Sequence, residues 1–291
     1  MVNNLDEKLT KVSFSNLNKI LYPKVKITKA QVIEYYIRVA PQILGIVKDR
    51  PIVLTRYPNG VDENGFYEKD KPEGTPTWVK TSTFYSETAK RNVNYILVND
   101  LDTLVWLANL AAIEIHMPLG RVDAREKPDF VLLDLDPEPP ANYADAVTVA
   151  RLLKEKLDDL GLRAYPKTSG KKGLHVVIPI EREYTYKTTR EFAHIIGQYI
   201  AKETDLVVSE FSDTKKPNKV FVDYTQNSHG KTMVIPYGLR ATPEATVSTP
   251  LEWQEVKKGL KPESLNLFTV GKRRKDPWKD ILENRQKLEV K

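Results

Sequence analysis

Two hydrophobic periods alternate along the chain, and they predict its elements. Val32, Ile33, Tyr36 and Ile37 recur at helical spacing behind Thr28, which is placed to cap a first turn. The run 51–58 (PIVLTRYP) reads as a strand, and 59–78, rich in Gly and Pro, as a loop. The pattern then predicts a strand over 93–100, and a mostly apolar helix followed by a short strand across 100–118. Next come an apolar strand leading into Asp134 and Asp136, and a helix over Tyr143–Leu160. Residues 162–181 read as strand, glycine turn, strand, and Thr188–Thr204 as a helix. Residues 205–227 read as strand, basic loop, strand, and the tail from Thr242 as turns and short helices. Strands and helices mix without a strict βαβ rhythm, which points to an α+β fold rather than a doubly wound sheet.

Composition narrows the class. The 291 residues suffice for one large domain or two intimately packed subdomains, and 41% hydrophobic residues can fill a sizeable core. A formal net charge of +6 favours an anionic partner. The absence of cysteine excludes disulfides and cysteine-bound zinc. The N-terminal stretch has no apolar core of a signal peptide, and no run approaches membrane length, so the reading is a soluble cytoplasmic protein.

The chemistry concentrates in PDFVLLDLDPEPP, 128–140, which prolines end abruptly. On a strand Asp134 and Asp136 face one side, with Leu133 and Leu135 on the other. Two carboxylates so placed repel unless a cation neutralises them, and hard divalent cations suit oxygen ligands. The plainer alternative is that Asp136-Pro137 begins a turn and Asp134 is solvated. KVFVDYTQN repeats the pattern: an apolar strand ending in Asp223, a third carboxylate able to complete a metal site. KTSGKKGLHVVIPI offers Ser169, Gly170, two lysines, Gly173 and His175; its backbone N–H groups, hydroxyl and lysines can bind phosphates, although a basic hairpin turn has the same composition. His116, just upstream, reads equally as a core histidine.

With these residues in view, FVLLDLDP, SGKKGLHV and VFVDYTQN followed by GKTMVIPYGLRATPEATVSTPLEW resemble the polymerase domain of bacterial ligase D, a member of the archaeo-eukaryotic primase superfamily. The resemblance runs from NLNKILYP to about Trp253. It implies a primase-like α+β fold with mixed or antiparallel sheets around a catalytic cleft. It implies that Asp134, Asp136 and Asp223 are catalytic and hold two divalent cations, Mn²⁺ or Mg²⁺, and that His116, Ser169, His175, Gln226, Arg240 and, more weakly, Lys231 bind the incoming nucleotide. It further implies that Lys19 and Lys29 grip the 5′-phosphate of a DNA break, that Phe66 and Tyr67 stack on template DNA, and that Lys216 is the basic residue of a mobile loop. Tyr67 replaces a more usual Phe, Met117 stands beside His116 where many relatives carry polar or aromatic groups, and Thr55 sits where some carry a basic residue, leaving Arg56 as a substitute.

The function read from this resemblance is a DNA-end-joining repair primase-polymerase. It adds nucleotides, ribonucleotides in preference, at 5′-phosphorylated breaks and gaps on nucleoid DNA, with Ku and a separate DNA ligase as partners. No ligase or nuclease sequence accompanies the motifs, so a stand-alone domain is expected, with an N-terminal part over 1–125, a catalytic core over 126–241 and a packing segment over 242–291. The rivals are a phosphohydrolase using Asp134 as nucleophile and Asp136 as acid, and a non-catalytic DNA-end binder. The basic run Lys272–Lys275 reads as a solvated face.

Overall fold

The computed structural model describes residues 11–87 and 89–288; residues 1–10 of the N-terminal stretch lie outside them. A short hairpin, β1 (Ile20–Tyr22) and β2 (Ile27–Thr28), runs straight into α1 (Lys29–Val47). Thr28 caps that helix as its position predicts, and Gln31 returns the bond to close a capping box. The chain continues through β3 (Pro51–Arg56), β4 (Phe66–Glu68), β5 (Thr81–Ser86), β6 (Arg91–Leu97), α2 (Leu101–Asn109) and β7 (Ala112–Pro118). The second half holds β8 (Phe130–Glu138), α3 (Tyr143–Asp159), β9 (Tyr165–Thr168), β10 (Leu174–Pro179), α4 (Tyr186–Glu203), β11 (Val207–Val208) and β12 (Lys219–Asp223). Then come β13 (Thr232–Val234), β14 (Gly238–Leu239), β15 (Val247–Ser248) and α5 (Leu267–Val270).

Two sheets organise the molecule. One runs β13-β7-β3-β6-β5, with β4 also paired to β3; the other runs β11-β12-β8-β10-β9. Every pair in them is antiparallel except β11 with β12. The α+β expectation holds. Helix α1 packs on α2, α3 on β8 and β10, and α4 on β11, β12 and β8. A methyl group on Gly197 of α4 would stand 3.4 Å from Val222 of β12, so Val222 and its cross-strand partner Leu135 face the helices. The aspartates face the other way. Among the described residues no helix is long and apolar enough to cross a membrane.

Four local readings need correction. The loop over 59–78 contains β4, and β5 went unpredicted because TSTFYS has no apolar alternation. The strand carrying the aspartates does not stop at its first proline: it runs to Glu138, with Pro137 opposite Val220. Pairing of β8 with β10 ends at Leu135, so Pro137 lies where one side of the strand is already an edge and its missing N–H costs no ladder bond. Asp136-Pro137 is therefore strand, not turn. The tail includes β15, paired to β14, beside its turns.

The two sheets are tied by Asp129, which immediately precedes β8 and has no solvent exposure. Its Oδ1 accepts from Arg50 Nη2 at 2.6 Å and its Oδ2 from Arg121 Nε at 2.9 Å. Arg50, equally buried, also donates to the carbonyls of Ile46, Pro118 and Leu119. Burial opposes the charge on Asp129, but Arg50 and Arg121 outweigh it and hold the carboxyl below the usual range. Stability from this pair is thus present above the ordinary Asp pKa and is lost as pH falls through the lower folded value. Asp129→Ala strands two buried guanidinium groups and is expected to cost about 3–5 kcal/mol. Urea unfolding at neutral pH measures this; a midpoint equal to wild type would show that the network does not hold the sheets together.

Candidate active site

Strand register assembles the site. Asp223 lies directly opposite Asp134, which lies opposite His175, which lies opposite Lys167, so one row crosses β12, β8, β10 and β9. Directly opposed residues point to one face, as do Asp134 and Asp136 two positions apart. The aspartates were assigned to one site from two separate stretches of sequence, and the fold brings their strands together. Burial pushes the Asp134 carboxyl well above its usual range, and the charges of Asp136 and Asp223 push it further. Asp136 is raised by burial too, with Lys172 opposing.

Two of the three carboxylates are engaged as they stand. Asp223 Oδ1 accepts from the Thr225 amide at 2.8 Å and hydroxyl at 2.6 Å, and its Oδ2 from Gln226 Nε2 at 3.0 Å. His175 Nε2 stands 3.3 Å from Asp134 Oδ1. Among the described residues no three His, Asp or Glu side chains are closed around a cation position. Three oxygen donors on one face, two of them with pKa raised by burial and by neighbouring carboxylates, are nonetheless a donor set suited to a hard divalent cation, whose charge would relieve that cost. His175 is almost fully buried, and its Nδ1 has no partner among the described residues. Burial, followed by the charges of Lys167, Arg240 and His116, pushes its pKa well below normal, so the ring is neutral at physiological pH.

The glycine turn between β9 and β10 closes one side. Ser169 Oγ accepts from the amides of Lys171 and Gly173 at 3.2 and 3.1 Å. Gly170 has φ +76°, and a methyl group there would meet Arg240 Cγ at 2.5 Å; one on Gly173 would come within 2.3 Å of the Leu135 carbonyl oxygen. Both glycines are needed for close approach, the first to Arg240 and the second to the aspartate strand. Arg240 Nη1 donates to the Ser169 carbonyl at 2.8 Å, and its Nε to Glu114 Oε1 at 3.0 Å.

Glu114 was missed by the sequence reading. It lies on β7 two residues before His116, and its carboxylate meets Arg240, Lys171 Nζ at 3.5 Å and His116 Nε2 at 3.5 Å. Burial alone would raise its pKa, but His116, Arg240, Lys171 and the Ala241 amide together hold it well below the usual carboxylate range. Lys167 was missed as well. It is fully buried, donates to Ser248 Oγ, and burial pushes its pKa well down. Each is a charged residue inside an apolar strand, the signal that singled out Asp134.

The other candidates lie apart from this row. Lys19 and Lys29 meet across the β1–β2 hairpin, where the Lys29 amide donates to the Lys19 carbonyl at 2.8 Å. Lys29 is buried and has no acidic partner among the described residues; burial lowers its pKa, and Lys19 and Arg56 lower it further. Phe66 and Tyr67 are exposed, but they are neighbours on a strand and so point to opposite faces. Phe66 lies under the Arg56 guanidinium at 5.1 Å, which also donates to Glu68. Met117 is fully buried, facing away from His116. Lys231 sits beyond Thr232, which is opposite Pro118, and so lies away from Ser169 and Arg240. Lys216 pairs with Asp213 inside its own loop. Of the basic run, Arg273 is bound to both oxygens of Glu255, which makes it structural, whereas Lys272, Arg274 and Lys275 are exposed.

Comparison with known proteins identifies the family and the fold. Residues 28–281 match the family model described as LigD, primase-polymerase domain. The chain is 35% identical over 281 residues to the bifunctional non-homologous end joining protein LigD of Bacillus subtilis, covering 95% of this chain and 45% of that protein. It is 33% identical over 255 residues to the multifunctional non-homologous end joining DNA repair protein LigD of Mycobacterium tuberculosis, covering 84% of this chain and 33% of that protein. The chain thus spans from a third to under half the length of these relatives. The structure superposes with a TM-score of 0.88, at 31% identity, on the polymerase domain from Mycobacterium tuberculosis ligase D in complex with DNA, covering 94% of this chain and 99% of that one. Matched to the family model over residues 28–281 and sharing its fold, the chain belongs to the LigD primase-polymerase domain family.

Proposed function

We propose that this chain is a DNA-repair nucleotidyltransferase that adds nucleotides, ribonucleotides in preference, to a primer 3′-hydroxyl at 5′-phosphorylated breaks and gaps. The observation that carries this reading is the row Asp223–Asp134–His175–Lys167, carboxylates at one end and nitrogen bases at the other, on one face of a single sheet. Asp134, Asp136 and Asp223 would hold the divalent cations, Mn²⁺ or Mg²⁺, which when bound supply charge neutralisation for attacking and leaving oxygens. Lys171, which meets Glu114, and Lys172, close enough to Asp136 to oppose its shift, bring positive charge to the glycine turn, where a triphosphate is recognised. Arg240 is aimed by two acceptors, Glu114 and the Ser169 carbonyl, so its remaining N–H groups meet phosphate without reorganisation. Gln226 and Thr225 orient Asp223. Neutral His175 offers a hydrogen-bonding nitrogen beside Asp134. An aspartate-nucleophile phosphohydrolase would not need Asp223, His175 and the Lys19–Lys29 cluster together in this arrangement. This reading implies Ku and a DNA ligase as partners on nucleoid DNA.

The deciding assay is extension on a gapped duplex with a 5′-phosphate, comparing ribonucleotides with deoxyribonucleotides and Mn²⁺ with Mg²⁺. Asp134→Asn and Asp136→Asn should each abolish addition while DNA-end binding persists; near wild-type extension by either at saturating Mn²⁺ would rule the mechanism out. Glu114→Gln should raise the nucleotide KM about tenfold, equivalent to about 1.4 kcal/mol, with a much smaller change in kcat, and Glu114→Asp should restore part of the loss. An equal fall in kcat with KM unmoved would place Glu114 outside nucleotide positioning.

Lys19 and Lys29, with Arg56 near, form a cationic cluster that attracts a doubly charged terminal phosphate more strongly than an internal one, the more so at low salt. Wild type should therefore prefer gapped DNA bearing a 5′-phosphate, and the Lys19→Ala/Lys29→Ala double variant should lose that preference while extending a simple primed template normally. Direct binding titrations with and without the phosphate measure this, and an unchanged preference in the double variant would move the phosphate grip elsewhere.

A further inference from the structure

We propose that a second cavity, beside the nucleotide cleft, holds one unpaired nucleotide of the template strand. The inference rests on the polymerase reading above and adds a binding site to it. The cavity measures about 420 Å³, within the size range of small-ligand pockets.

Its floor continues the sheet face of the cleft. His116 and Pro118 share one face of β7; Val53 lies opposite His116, and Thr232 opposite Pro118. Val53, Pro118 and Thr232 all line the cavity, so it opens one pleat along the sheet from His116. Its walls are aromatic. Phe84 and Tyr95 face each other with ring centroids 6.1 Å apart, and Tyr186 stands edge-on to His229 at 5.5 Å. Arg125 lies over Phe84 with its guanidinium carbon 3.9 Å from the ring centroid. Lys69 lies over the exposed ring of Tyr67 at 5.7 Å, and Tyr67 is near enough to Tyr95 for their charges to couple. Tyr67, Tyr95 and Phe84 thus lead from β4 into the cavity, with a cation set against the first and the last.

The charge selects the ligand. Lys69, Arg125 and Lys231 line the cavity against one carboxylate, Glu87, while His229 faces Glu126 at 3.2 Å. Aromatic faces with interleaved cations recognise single-stranded nucleic acid, because every base has a face to stack and every linkage a charge. The cations come from three separate segments, as suits a strand with a phosphate on each side of the base; the charge of a free nucleotide is gathered at one end. A template strand also explains the position: the base next to be copied leaves the helical stack beside the incoming nucleotide. Lys231 finds its place here, as a strand contact instead of a triphosphate ligand.

The test places 2-aminopurine in the single-stranded template of a primed duplex, at each of the first three unpaired positions, and reads its fluorescence with wild type, Phe84→Ala and Arg125→Gln. Neither residue belongs to the catalytic row or the triphosphate cluster. Wild type should quench one position selectively. Phe84→Ala should abolish that quench, Arg125→Gln should weaken binding of the overhang about tenfold with a shallower salt dependence, and both should bind a blunt duplex as wild type does. Thermal melts check that each variant is folded, and Arg125→Gln alone decides should Phe84→Ala fail. Quenching that both variants retain would overturn the proposal. So would a cavity that takes free 2-aminopurine riboside triphosphate, with quenching lost in Phe84→Ala, while the overhang binds unchanged. Because binding is read without catalysis, a wild-type protein that quenches but adds no nucleotide would refute the polymerase reading and leave strand binding standing.

Discussion

Asp129 is a carboxylate with no access to water, and the two sheets meet on it. The residue before β3 and the residue before β8 are Arg50 and Asp129, so their ion pair fixes where both strands start. Arg121 completes the neutralisation from the segment after β7, and the Asp129 amide donates to the Leu119 carbonyl at 3.1 Å. An arrangement like this is poor value as stability compared with an apolar core, but breaking it is expensive, because a lone charge cannot be left behind. That asymmetry makes it a device for register. Sliding β8 by one residue would unpair Asp129 and turn Asp134 and Asp136 toward the helices, so the same constraint that joins the sheets aims the carboxylates into the cleft.

With the carboxylates aimed, the site divides by charge. Aspartates occupy one end of the row, whereas Lys167, Arg240 and Lys171 gather at the other. Like charges within each group repel, and each group is steadied differently. Glu114 stands among the cations and meets three basic groups, which allows them to be close before any phosphate arrives. Burial and neighbouring carboxylates raise the pKa of Asp134 and Asp136 despite Lys167, Arg240 and Lys172 nearby, a cost that a divalent cation would relieve. The cleft is therefore strained at the end that binds cations and balanced at the end that binds anions.

Much of this was legible in the chain, for physical reasons. Helices α1, α3 and α4 declare themselves by apolar stripes and polar caps, and β8, β10 and β12 by short apolar runs between turn residues. The aspartates stood out because a charge in an apolar run demands a partner. The same rule applied to EIH and YPKT finds Glu114 and Lys167, but the groups they hydrogen-bond, Arg240 and Ser248, lie more than seventy residues away in sequence, and no local spacing points to those. Strands β4 and β5 were illegible because they are largely exposed, and β4 is only three residues long, so no buried face imposes a readable alternation. Pro137 misled because the penalty for proline depends on whether a neighbour strand is present, and β10 has ended there. The two-faced placement of Phe66 and Tyr67 followed from β4 itself, so missing the strand also concealed that the pair cannot share one stacking surface.

The hairpin of Lys19 and Lys29 and the nucleotide cleft are not independent. Tyr22, fully buried on β1, donates its hydroxyl to the Arg240 carbonyl at 3.0 Å. The Val61 amide donates to the Leu21 carbonyl on the same strand, and Thr55, next to Arg56 on β3, lies opposite Glu114 on β7. The lysines proposed to hold a break and the arginine proposed to hold a triphosphate are thus joined by a few buried bonds, with no flexible linker between them. Rigid coupling of this kind fixes the distance from the recognised end to the reacting centre. A gap-filling reaction needs that property, because an enzyme that grips one side of a gap can act at the other only if the span between them does not vary.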